Sequence, residues 1–170
     1  NHTSGIDIMA IIRASDRPIG FLAKRGLFLV PVFGWSMWAA RMVSIDRRNR
    51  ESAVASLNRA GERMQAGETL MIFPEGTRSR TGRLLPFKKG GFILAHSQGI
   101  PILPMVIAGA RDIHAVGFLV RGRGPVAMVV DQVIHPQDFD DVPALIAYTK
   151  GRFARANGRA KRRLERLQGA

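Results

Sequence analysis

The sequence predicts a single α/β domain with a mixed, largely buried β-sheet flanked by helices. Three observations predict it. The chain has 170 residues, which fits one domain. Its apolar share of 46% and charged share of 23% are those of a globular protein, not a disordered one. Short, wholly apolar runs alternate with stretches of helical period, and runs lacking in/out alternation suit strands covered on both faces.

The elements follow in order. Residues 7–14 have helical character, and the apolar runs 20–23 and 42–45 suit strands. Between them lies the most apolar stretch, residues 27–40 (LFLVPVFGWSMWAA). It is short for a membrane span, and Pro31 and Gly34 interrupt it. Asn49 caps a helix running to about Ala66, with Val54, Leu57, Gly61 and Met64 near one face and Gly67 at its end. The run 69–73 (TLMIF), stopped by Pro74, suits a buried strand. Residues 76–86 (GTRSRTGRLLP) form a basic, turn-rich loop, and 90–98 a helix ended by Gly99. Two more buried strands are expected at 102–108 and 126–133. From Val142 a long terminal helix carries Phe153, Ala156, Ala160, Leu164 and Leu167 on one stripe, with arginines around it and Gly158 inside it.

Charge divides the chain unevenly. The net charge is +13, and from Lys150 onward eight basic residues face one acid, Glu165, a net of +7. Residues 1–149 therefore read as one domain and 150–170 as a basic C-terminal helix or tail. Such an excess suits an anionic partner: a phospholipid surface, a polyphosphate cofactor or nucleic acid. Nucleic acid is disfavoured because only Tyr148 and Phe153 accompany these cations, where stacking aromatics would be needed. The absence of cysteine excludes disulfides, thiolate metal sites and a cysteine nucleophile. The chain begins at Asn1 without an initiator methionine and reads as an N-terminally truncated fragment, with no signal peptide and no eighteen-residue apolar run.

Four clusters carry potential chemistry. His2 stands five residues before Asp7, a spacing that forms a dyad if the chain turns between them. The carboxylate would hold one ring nitrogen protonated and leave the other as a base at neutral pH. Ile45-Asp46-Arg47 follows the apolar stretch, and by itself reads as a strand ending in an exposed ion pair. Phe73-Pro74-Glu75-Gly76-Thr77-Arg78-Ser79 sits where an apolar run meets a glycine-containing loop. Its arginine, with Arg80, Arg83, Lys88 and Lys89 nearby, makes a strongly positive field suited to an anion. Ile100-Pro101-Ile102-Leu103-Pro104 puts two prolines around a short apolar run, which suits a bent edge strand.

In this order the four clusters resemble the lysophosphatidate acyltransferases, within the wider glycerolipid acyltransferase family. Lys24, Pro31, Gly34, Trp35, Pro86-Phe87-Lys88 and Gly109-Ala110 also sit where that pattern has similar residues, and the likeness covers roughly residues 1–110. The resemblance implies a glycerolipid acyltransferase-like α/β fold and transfer of a fatty acyl group from acyl-CoA or acyl-ACP to the hydroxyl of lysophosphatidate. It implies His2 as general base and Asp7 as its orienting partner. Arg47, Glu75, Gly76, Thr77 and Arg78 would shape the glycerol phosphate site, and Pro101 and Pro104 would lie in the acyl-donor region. No cofactor or metal is implied beyond the co-substrate. The implied setting is the cytoplasmic face of an anionic phospholipid membrane.

Other readings share these residues. The acceptor could be another lysolipid or glycerol 3-phosphate, or the chain could be a non-catalytic, basic membrane-binding domain. The apolar stretch 27–40 either packs in the core, touches a membrane or lines the acyl site. The terminal helix either lies on a bilayer through its apolar stripe or packs on the domain with a solvated basic face.

Overall fold

The computed structural model describes residues 6–16, 18–46, 48–79, 81–116 and 119–169. The chain opens with α1 (Ile6–Ala14) and β1 (Ile19–Lys24), then a 3-10 turn (Arg25–Leu29), α2 (Phe33–Ala39) and β2 (Val43–Ile45). It continues through α3 (Arg50–Gln65), β3 (Thr69–Met71) and α4 (Gly90–Gln98) to β4 (Met105–Ala108). A short hairpin, β5 (His114–Val116) and β6 (Leu119–Arg121), precedes β7 (Ala127–Val130), a 3-10 turn (Pro136–Asp138) and α5 (Val142–Gln168).

The strands form three ladders. β1 lies between β2 and β3 and is parallel to both, pairing Leu22 with Val43 and Gly20 with Leu70. β4 and β7 are antiparallel, as are β5 and β6. This is the expected α/β class, with the parallel and antiparallel pairings in separate ladders among the described residues. Parallel strands need crossovers, and α2 and α3 supply them. The carboxyl ends of β1, β2 and β3 therefore share one edge, where open α/β sheets bind ligands.

Local signals explain several boundaries. The Asn49 side chain accepts the Ser52 N–H at 2.9 Å and starts α3. Asp141 caps α5 in the same way, accepting the Ala144 N–H at 2.7 Å. Gly99 ends α4 in the left-handed region, at φ 65°.

Two apolar clusters hold the layers together. Phe87, Phe92, Val106, Ile134, Leu145, Phe153, Ala156 and Ala160 pack α4 and α5 against the β4–β7 ladder. Ile11, Phe21, Ile107 and Ala110 join α1, β1 and the end of β4. α5 is continuous through residues 149 and 150. Phe153, Ala156 and Ala160 are buried while Leu167 is half exposed, so the helix packs on the domain with most of its arginines exposed.

Some expectations change. Strand 102–108 shortens to β4 because Pro104 has no N–H for the ladder; Ile102 makes only an isolated bridge with Ile134. Strand 126–133 shortens to β7. Val54 points outward, while Gly61 of the expected face is buried with Ser56 and Ala60, and Leu57 and Met64 are half buried. A Cβ on Gly61 would lie 2.1 Å from Gln98 Oε1. Strand 69–73 is half buried rather than buried, because it walls a cavity.

α5 is clamped to β7 by charge. Asp131, with its side chain 5% exposed, receives Arg152 through Nε and Nη2, each at 2.9 Å, and Arg159 Nη2 at 2.7 Å. The Arg152 hydrogen bonds, reinforced by Arg159, hold the Asp131 carboxyl well below the usual carboxylate range. Asp131→Ala leaves two cations without their partner, so unfolding free energy should fall by about 2–3 kcal/mol. The unfolded chain binds this proton first as pH drops. The clamp's contribution is therefore whole above the ordinary value of 3.8 and is lost as pH falls below it. Urea melts of both proteins at about pH 7 and about pH 3 check this, with the gap between them narrowing in acid.

Candidate active site

The carboxyl edge of the parallel sheet gathers most of the sequence-predicted residues. Lys24 ends β1, Asp46 follows β2, and the segment from Phe73 to Ser79 follows β3. Asp7 is on the first turn of α1 and is 1% exposed. Ile6 and Ile8, on either side of it, pack in the same cluster as Phe73, two residues before Glu75. The fold thus brings the start of α1 to the end of β3, across more than sixty residues of chain. His2 and Arg47 lie outside the described residues. Asp46 accepts the Arg48 N–H at 3.0 Å and pairs with Arg25 at 3.7 Å.

The loop after β3 is stapled at several points. The Gly76 N–H donates to the Phe73 carbonyl at 3.0 Å, closing a turn, and the Lys88 N–H donates to the Pro74 carbonyl at 2.7 Å. Glu75, 1% exposed, accepts the Leu85 N–H on Oε2 at 2.8 Å. A carboxylate turned onto loop backbone shapes the loop without presenting its charge to an anion. Ser79, also buried, donates from Oγ to the Arg83 carbonyl at 2.6 Å. From outside, Arg111 Nη1 donates to the Thr81 carbonyl at 2.9 Å. Thr77, Arg78, Arg83 and Lys88 remain exposed on this frame, giving a cationic rim without a neighbouring exposed acid in the loop itself.

Beside the loop opens a cavity of about 650 Å³. β3 with Ile72 and Phe73 forms one wall, and residues 100–105 with Met128 and Val130 form the other. α1 contributes Ile11, and α5 contributes Phe153. Pro101 and Pro104 both line it, Pro101 exposed and Pro104 buried. The lining is dominated by apolar side chains, with Lys88, Asp16 and Glu68 among the few charged ones. Arg63 hydrogen bonds to Glu68 and, with Arg41, holds that carboxyl below its usual range. A cationic loop beside an apolar cavity matches an amphiphile: an anionic head and a hydrocarbon tail.

Motif reading identified Glu75, Gly76, Thr77, Arg78, Pro101 and Pro104 but not their supports. Arg111 lies thirty residues from Thr81, and Leu85 ten from Glu75, with no local pattern linking either pair. Most of the cavity wall comes from residues whose apolar character marks only a core.

A profile of the family described as Acyltransferase matches residues 1–108. Over 141 residues the chain is 35% identical to a chloroplastic 1-acyl-sn-glycerol-3-phosphate acyltransferase of Brassica napus, covering 82% of this chain and 41% of that one. It is 38% identical over 127 residues to the 1-acyl-sn-glycerol-3-phosphate acyltransferase of Saccharomyces cerevisiae, covering 73% and 42%. The crystal structure of the 1-acyl-sn-glycerophosphate (LPA) acyltransferase, PlsC, from Thermotoga maritima superposes with a TM-score of 0.76 at 29% identity, covering 100% of this chain and 65% of that one. The chain spans about two-fifths of the length of the curated relatives it matches.

Proposed function

The chain belongs to the acyltransferase family, and from that premise we propose that it transfers a fatty acyl group from a thioester to the free hydroxyl of lysophosphatidate, giving phosphatidate. The observation that carries this reading is the juxtaposition of the stapled cationic loop with the apolar cavity. The names of the relatives support the acceptor, and the proposed donor is a fatty acyl thioester, acyl-CoA or acyl-ACP.

In the proposed step the acceptor hydroxyl attacks the thioester carbonyl while its proton passes to a ring nitrogen of His2. Asp7 holds the other ring nitrogen protonated and oriented. The tetrahedral adduct collapses, the carbon–sulfur bond breaks, and the thiolate takes the proton back from the imidazolium. A thioester is already activated, so no acyl-enzyme is needed. Arg78, with Arg47 and the backbone of Gly76 and Thr77, holds the phosphate; Glu75 keeps that backbone in place. Positioning of this kind lowers the barrier by converting an encounter into a near-attack geometry. Pro101 and Pro104 stiffen the wall against which the acyl chain lies. The enzyme works at the cytoplasmic face of an anionic membrane, where its lipid acceptor resides.

The test is acyl transfer by the full-length protein on lysophosphatidate in vesicles, with acyl-CoA and acyl-ACP compared. Phosphatidate formation supports the reading. Turnover only with a different lysolipid or glycerol 3-phosphate would move the acceptor, and no turnover with any of them would overturn it.

The cavity adds a prediction. Ile72 lines it and is half buried, so Ile72→Trp should shorten the available space. Activity with the longest donors should fall about tenfold, and activity with short ones should hold. Rates measured across a donor series check this; a uniform fall at every length would place the acyl chain elsewhere.

A further inference from the structure

Of the three readings open for the apolar stretch in the crossover from β1 to β2, packing in the core holds for only part of it. Phe28 and Met37 turn inward, but Leu29 is 77% exposed, Val32 70%, Trp35 71% and Trp38 62%. Leu27 and Val30 are also partly exposed.

The crossover is built to hold this shape. The Gly34 N–H donates to the Val30 carbonyl at 2.6 Å, and the Ser36 N–H donates to the Val32 carbonyl at 2.9 Å. A Cβ on Gly34 would lie 2.1 Å from the Phe28 carbonyl oxygen, so only glycine permits this approach. Trp38 packs edge-on to Phe28, with ring centroids 5.2 Å apart. Val32 is at φ 63°, a conformation β-branched residues avoid. Two inward anchors and a tight corner thus fix four large apolar side chains toward the outside.

We propose that this crossover is a membrane-docking surface whose partner is an anionic phospholipid bilayer, with Leu29, Val32, Trp35 and Trp38 seated at the headgroup–acyl boundary. The charge pattern argues for a lipid partner. Residues 24–41 contain no acid, and their cations, Lys24, Arg25 and Arg41, stand at the two ends of the apolar run. Arg25 and Arg41 are paired with Asp46 and Glu68 but stay exposed at the two ends of the run, where headgroups can reach them while tryptophan rings occupy the interface. The location argues the same way. The crossover leaves the sheet at Lys24, on the edge that carries the Gly76–Arg78 loop. Five residues of 3-10 helix advance the chain only about 10 Å, which keeps Leu29 near that edge. Docking at the Leu29 end brings the phosphate-binding loop toward the plane where lysolipid headgroups lie. This inference rests on the proposed lipid acceptor.

The test uses the full-length chain and vesicles of brominated phosphatidylcholine with phosphatidylglycerol. Emission from Trp35 and Trp38 is assigned by difference from Trp35→Phe and Trp38→Phe. Quenching of these two by roughly twofold, with a blue shift, is expected for rings at interfacial depth. Emission unchanged by brominated lipid, as when a second copy or another part of the chain covers the crossover, overturns the proposal. Leu29→Asp and Trp35→Asp should slow transfer to vesicle-borne lysophosphatidate about tenfold and leave the detergent-dispersed rate unchanged. Equal losses in both formats also overturn it. Quenching in a protein that acylates no lysolipid would sink the proposed function and leave the docking surface standing.

Discussion

Replacing His2 with alanine should lower kcat for acyl transfer by about 10²–10⁴-fold, the usual worth of a positioned general base. Binding of lysophosphatidate should change little, because in the proposed scheme the cationic loop, and not the imidazole, holds the phosphate. Single-turnover rates and equilibrium binding, measured on the same variant, separate the two effects. Asp7→Asn offers a second reading of the same dyad. Asp7 is buried on the first turn of α1, so an amide of the same shape preserves packing while removing the charge that orients the ring. It should reduce kcat in the same direction. Full activity in His2→Ala would remove the base from the mechanism and leave positioning as the whole of the chain's contribution.

The second large effect should come from Arg78. Its guanidinium stands on the loop stapled by Glu75 and Ser79, and an arginine grips phosphate through two parallel hydrogen bonds. Arg78→Ala should lower kcat/KM for lysophosphatidate by about 100-fold, which corresponds to about 2.7 kcal/mol of lost phosphate contact. Arg78→Lys should recover only part of this, since an ammonium lacks the fork. The control is monoacylglycerol, which has the hydroxyl and the chain but no phosphate. Its low rate should be the same in parent and variant. A parallel loss on both acceptors would mean that Arg78 supports the loop instead of gripping the phosphate.

The sequence made legible those features that short-range physics controls. Asn49 caps α3 and Gly99 ends α4 because each acts within one turn of its own backbone. The apolar runs at 20–23, 42–45 and 69–73 became the parallel ladder, whose edge then collected the motif residues. What the sequence hid depends on neighbours distant in the chain. Val54 looked like a core residue, yet it is exposed while Ser56 and Ala60 are buried, because elements distant in the chain decide which side of α3 fits. The hairpin at 114–121 went unread, since its three-residue strands are too short for a periodic signal. The Asp131 clamp joins residues more than twenty positions apart, and the Arg111 staple thirty. The stretch 27–40 shows the limit most plainly. Its composition suits a core, and only the fold reveals that Phe28 and Met37 turn inward while both tryptophans face out.

The cavity wall crosses a boundary that has consequences for how this scaffold diversifies. Most of its lining, from Ile11 to Ile107, falls within the matched span 1–108, whereas Met128, Val130, Thr149 and Phe153 come from beyond it. Under the proposed assignment, the acyl cavity is shared between the matched span, which also carries the headgroup loop, and β7 with α5, which carry none of that loop. Substitutions in β7 and α5 can retune which fatty acids a cell stores in its phosphatidate without disturbing the residues that recognise phosphate. A chimera carrying a relative's equivalent of residues 109–170 would shift part of the way toward that relative's chain preference while keeping its own acceptor.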